Sequence, residues 1–194
     1  MSEDPAGPLD LHSGARLIGA YCAVERRLFE VAGAGSTRPD APPEAAIFLS
    51  ALSAEHAWHA ELWADRLPVL GTIDPSTLVA IPNEVGPVLS GLDEAPPLEL
   101  LVGLCRVVLP RLVADYTRHQ RCASAVSEAP TKRALRLVLY EETEAWAGGE
   151  ALVQGLLDSP EAVRRAATAV AELEVQLVQA GLGRGLVPWP GRRA

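Results

Sequence analysis

The chain has 194 residues, 48% of them hydrophobic and 22% charged, with a formal net charge of −8. That length and composition suit one globular domain able to bury its own core. The acidic balance excludes a phosphate-backbone partner, because nucleic-acid binders carry a basic stripe and none is present here.

In chain order, residues 1–9 read as a flexible leader. A first helix is expected from Asp10 or Ser13 to Ala32, where the Gly33-Ala-Gly35 run would stop it. Leu17, Ala20, Tyr21, Val24, Leu28 and Val31 recur at helical spacing, and Glu25 falls on or at the edge of that apolar face. A second helix is expected from Pro43 to Leu67, ending before Pro68. Its inward stripe reads Ile47, Ala51, Leu52, Glu55, Trp58 or His59, and Leu62. Helices one and two would form an antiparallel hairpin.

The stretch from Pro68 to Pro96 is rich in turn signals, with room for one short helix around Val85 to Leu92. A connection that long is suited to travelling the full height of a bundle. Helix three is expected from Pro97 to Ala123, kinked by the internal Pro110. Helix four should run from Thr131 to Leu157, with Gly148-Gly149 marking a close backbone contact or a bend. These elements place a helical bundle over residues 10–157. Ser159-Pro-Glu161 then opens a C-terminal helix, giving a segment of residues 158–180. Residues 181–194 read as an irregular tail, docked by Trp189.

The cysteines, Cys22, Cys105 and Cys122, lack the paired spacing of zinc or redox motifs. All three are expected to be reduced, as in a cytoplasmic protein. The first residues are acidic and proline-bearing rather than charged-then-apolar. No apolar run approaches the ~20 residues of a membrane span, so no membrane partner is expected.

The chemistry concentrates in Ser53 to Trp63, which carries Glu55, His56 and His59 within about one helical turn. An acid and two imidazoles so placed bind a metal, tie a polar network together, or turn outward to water. Helix four adds Glu141, Glu142 and Glu144. Glu142, offset by about 100° from Glu141, is expected to face water. The simplest reading of His56 is a polar residue on the helix flank. Trp58, Trp63, Trp146, Tyr21 and Tyr140 are most simply core or hairpin-packing aromatics. Tyr116 and Tyr140 could alternatively donate a hydroxyl to the carboxylates.

Hairpin, long crossover, hairpin resembles the ferritin-like four-helix bundles, in which one Glu comes from each of two helices and a Glu-x-x-His pair from each of the others. The resemblance covers residues 10–157. It implies an all-α fold with Glu25, Glu55, His59, Glu141 and Glu144 as metal ligands, joined by Asp115 or His56. The sequence departs from the pattern in three places. His59 follows Glu55 by four residues rather than three, Glu144 stands where a histidine belongs, and helix three offers Arg111 or Leu112 with Asp115 one turn away. The set is enough for one ion and marginal for two. The implied cofactor is iron or manganese, and the implied activity is that of a di-metal oxidase or hydroxylase with an incomplete site. The competing reading is a metal-free, non-catalytic bundle in which Arg111 pairs with Glu55, Glu141 or Glu144. There the C-terminal helix serves dimerisation or a partner protein, and a third option is a metal-free bundle that binds a small organic molecule in its core. A homodimer is expected in each case.

Overall fold

The computed structural model describes residues 8–69, 71 and 74–190. Most of the leader expected over residues 1–9, and the tail beyond Pro190, lie outside these. The fold is all-helical, 73% helix, with no strand among the described residues. None of the described helices is long and apolar enough to cross a membrane.

Helix α1 spans Leu11–Ser36, capped by Asp10, whose carboxylate accepts the His12 and Ser13 N–H groups at 3.0 Å. It continues through Gly33 and Gly35 rather than stopping there. The reason is packing: a Cβ on Gly35 would lie 2.6 Å from Leu100 Cδ2 and 3.1 Å from Leu49 Cδ1. Helix α2 spans Pro43–Ala64, with proline in its first turn. It lies antiparallel to α1: Ser53 Oγ donates to the Phe29 carbonyl at 2.9 Å, and Cys22 Sγ to the Ala60 carbonyl at 3.4 Å.

The buried face of α2 differs from the expected stripe. It is Ala45, Leu49, Leu52, Ser53, His56, His59, Ala60 and Trp63, whereas Ile47 and Trp58 are 72% and 49% exposed. Because α2 is apolar nearly all round, periodicity alone does not set its rotation. Contact with α1 does. Tyr140 on helix four is likewise exposed rather than packed in the core.

Residues 65–96 hold a 3-10 turn, Pro75–Leu78, and a short helix α3, Gly86–Gly91. The Leu78 carbonyl presses so closely on Gly19 that a Cβ there would lie 2.1 Å from its oxygen. Helix α4, Pro97–Gly103, passes through a π turn, Leu104–Val108, into α5, Leu109–Cys122. The π turn has a cause in the sequence. Pro110 has no N–H, and its ring would crowd the carbonyl one turn back. The extra residue relieves that clash, and the Leu109 N–H reaches the Leu104 carbonyl instead.

The starts of α2 and α4 line one shallow cavity through Pro42, Ala45, Pro97 and Leu98, while Trp63 near the end of α2 bonds Tyr116 of α5. The two therefore run parallel, and residues 65–96 return the height of the bundle. Helix α6, Ala129–Leu156, runs antiparallel to α5, tied by Arg106 to Glu150 at 2.8 and 2.9 Å. Gly149 lets α6 approach closely: a Cβ there would sit 2.5 Å from Cys105 Sγ and 2.8 Å from Phe48 Cζ. Helix α7, Pro160–Gln179, follows the Ser159 cap and packs along α4, with Arg165 paired to Glu99.

The irregular segment after α7 folds back onto α5. Arg111 pairs with Glu174 of α7 and donates to the carbonyls of Gly183 at 2.9 Å and Gly185 at 3.1 Å. Asp115 accepts the Leu186 and Val187 N–H groups at 2.7 and 2.8 Å. The Arg118 guanidinium lies over the Trp189 ring, 4.3 Å from its centroid, and His119 meets that ring edge-on.

Candidate metal centre

Four side chains converge between α1, α2 and α6: Glu25, His56, His59 and Glu142, with one potential ligand atom from each lying within 4.8 Å of the others. None is more than 1% exposed. His56 Nδ1 lies 2.6 Å from Glu25 Oε2 and 3.4 Å from Glu142 Oε1. His59 Nδ1 lies 3.1 Å from the same Glu142 oxygen and 3.7 Å from Glu25 Oε1. On the far side of the His59 ring, Nε2 meets Glu141 Oε2 at 2.8 Å. Tyr116 donates its hydroxyl to Glu25 Oε1 and receives the Trp63 indole N–H at 3.2 Å.

Each position follows from helical phase. Leu135, Val138, Glu142, Gly149 and Val153 share the inner face of α6. On α2, His56 and His59 are three residues apart and so project to the same side. Glu25 sits among the core residues Cys22, Val24 and Leu28 of α1.

The electrostatics are those of carboxylates that have lost water and kept positive company. Burial alone would raise the Glu25 carboxyl; the charge and hydrogen bond of His56, then those of His59, overcome it and hold it at about 2. Burial would likewise lower His59, but Glu142 and Glu25 carry it up to about 11. His56 is raised as well, against burial, by Glu142 and Glu25. Without a metal, the cluster therefore closes as imidazolium against carboxylate. Glu142 Oε2 and His56 Nε2 are buried without a hydrogen-bond partner.

These residues fit a divalent cation. Two imidazole nitrogens and two carboxylates suit first-row metals. A tetrahedral ion with bonds of ~2.0–2.2 Å holds its ligand atoms roughly 3.4 Å apart. The contacts of Glu142 Oε1, 3.4 Å to His56 Nδ1 and 3.1 Å to His59 Nδ1, are of that size, and the 2.6 Å pair of His56 Nδ1 and Glu25 Oε2 would open to admit the ion. A small inward movement would close the rest. His59 has the further arrangement typical of a ligating imidazole, with its outer N–H directed to a carboxylate, here Glu141.

Of the residues named from the sequence, the structure brings together Glu25, His56 and His59, with Glu141 behind His59. His56 is a central member, not a flank residue. Glu55 is half-buried at the edge of the cluster, its carboxyl raised by burial against the pull of His59. Glu144 is exposed and outside it. Asp115 is turned to the backbone of the C-terminal segment, and Arg111 to Glu174 and that segment's carbonyls, so neither faces the cluster. Glu142, expected in water, is 1% exposed. A signal for it was present in the sequence, seven and four residues after Leu135 and Val138, but Glu141 carries an equal one, seven and three residues after Ala134 and Val138. His56-x-x-His59 likewise keeps the three-residue spacing that Glu55 and His59 lack.

No protein-family model matches the chain, and no curated protein and no solved structure shows significant similarity to it.

Proposed function

We propose that the chain is a ferritin-like bundle that holds one divalent iron or manganese ion between Glu25, His56, His59 and Glu142. Topology supports the fold label: two antiparallel helical pairs joined by one crossover as tall as the bundle. The observation that carries the metal reading is His59, fully buried, with Nδ1 toward Glu142 and Nε2 held by Glu141. That arrangement fixes the ring and leaves Nδ1 as the inward-facing nitrogen.

In this reading Glu25 and Glu142 neutralise the ion, and Glu141 holds the outer proton of His59. The Glu141 side chain is 37% exposed, so solvent reaches the outer side of His59 between α2 and α6, where Glu55 is half-buried. Substrate would approach from that side. An iron or manganese ion in such a set supplies one-electron redox chemistry toward dioxygen or peroxide, and oxygen or peroxide activation is the reaction class we assign.

A metal-free ionic network is the second reading, favoured by the charge balance of two imidazoles against Glu25 and Glu142. Metal analysis separates the two. Protein from cells grown with added iron and manganese should carry stoichiometric metal that a Glu25→Ala, His59→Ala double variant lacks. Metal-free wild type from the same cells would favour the network.

A further inference from the structure

The α5 side of the centre is closed by aromatic rings rather than by another acid. Tyr116 is completely buried, edge-on to Tyr21 with ring centroids 4.8 Å apart, and 5.4 Å from Trp63. Its hydroxyl is a relay in one direction: Trp63 donates to it and it donates to Glu25 Oε1. Glu25 Oε2 is left facing His56. Glu25 therefore has one oxygen for a metal, not two. Across the cluster, Glu142 Oε2 is buried with no partner. The carboxylate oxygens left over for a second ion are Glu25 Oε1, already held by Tyr116, and this Glu142 oxygen, and a further anionic ligand would have to come from α5 behind Tyr116. Asp115, one residue from Tyr116, is turned to the C-terminal segment and supplies none.

We propose that Tyr116 is a positioning residue that makes the centre mononuclear, by holding Glu25 Oε1 and keeping that oxygen from a second ion. The inference rests on the metal reading and sharpens it. It predicts what this chain binds when offered metal in excess.

The test is anaerobic loading with Mn(II), reading the ions retained per chain and the electron paramagnetic resonance spectrum. Wild type should hold one ion with the six-line signal of isolated Mn(II). Tyr116→Phe frees Glu25 to turn, so it should bind Mn(II) about tenfold more weakly, with an altered zero-field splitting. Tyr116→Glu supplies the missing carboxylate and should hold two ions, with the six-line signal replaced by that of a coupled pair. Should Tyr116→Glu not fold, the Tyr116→Phe affinity and spectrum decide alone. Two ions in wild type, or a Tyr116→Phe variant matching wild type in both readouts, overturn the inference while leaving the metal reading intact. No Mn(II) uptake by wild type overturns both.

Discussion

His59 is held from both sides, by Glu142 at Nδ1 and by Glu141 at Nε2, at 3.1 and 2.8 Å. The two carboxylates are adjacent in sequence but play unequal parts. Glu142 is sealed in the core and faces the cluster, whereas Glu141 reaches the ring from the solvent side. Removing Glu141 should loosen the ring without removing a ligand. Glu141→Gln is therefore expected to weaken Fe(II) or Mn(II) binding by about 10- to 100-fold and retain the site. Glu142→Gln should abolish binding. Competition against a chelator measures both, and equal losses would show that the two positions are not distinct.

The metal-free chain should depend on the same cluster for stability. Glu25→Leu leaves the two buried imidazoles sharing Glu142 at their Nδ1 atoms, with Glu141 only on the outer side of His59, and orphans the Tyr116 hydroxyl. Breaking one side of a buried ion pair costs about 3–5 kcal/mol. Urea unfolding of the metal-stripped protein reads this directly, and a loss under 1 kcal/mol would mean that Glu25 is not paired in solution.

Metal uptake should release protons. His59 is raised to about 11, so its ring is charged at neutral pH in the metal-free chain, and His56 is shifted in the same direction. An ion at the Nδ1 atoms displaces those protons, so affinity rises with pH. Between one and two protons should appear per ion bound at pH 7 in weakly buffered solution. Uptake with no proton release would place the metal elsewhere.

How much of this was legible in the sequence depended on what set each residue's direction. Helix positions were readable because Pro43, Pro97, Pro160 and the Ser159 cap punctuate the chain chemically. The end of α1 was not, because Gly33 and Gly35 are present for packing and the helix runs through them. The rotation of α2 was ambiguous because Ile47 and Trp58 are as apolar as Leu49 and Leu52, and only the facing α1 decides between them. That ambiguity displaced the reading from His56 to Glu55. The Glu141–Glu142 choice was open, because Glu142 follows Leu135 and Val138 by seven and four residues while Glu141 follows Ala134 and Val138 by seven and three. The partners of Arg111 and Asp115 were not readable, since apart from Glu174 of α7 they are backbone groups of the segment that follows α7, which has no periodicity to place it.

A second titration lies apart from the centre. His119 is buried against Tyr21 and Trp189, with neither ring nitrogen hydrogen-bonded; Lys132 bears on it, and Glu128 stands 3.9 Å away. Burial, then the Lys132 charge, lowers it to about 4. The unfolded chain, with an ordinary value of ~6.5, binds this proton more readily than the folded one. Stability should therefore fall as pH drops from ~6.5 to about 4, by roughly 2–3 kcal/mol in all. His119→Phe should remove that part of the pH dependence. An unchanged pH profile in the variant would mean that His119 is solvated.

The most direct test of the metal centre is anaerobic titration of metal-stripped protein with Fe(II), followed by counting the iron that survives gel filtration. The account predicts one iron per chain in wild type, and none when Glu25, His56, His59 and Glu142 are all replaced by alanine. Wild type that emerges without iron, or a quadruple variant that retains it, would contradict the account.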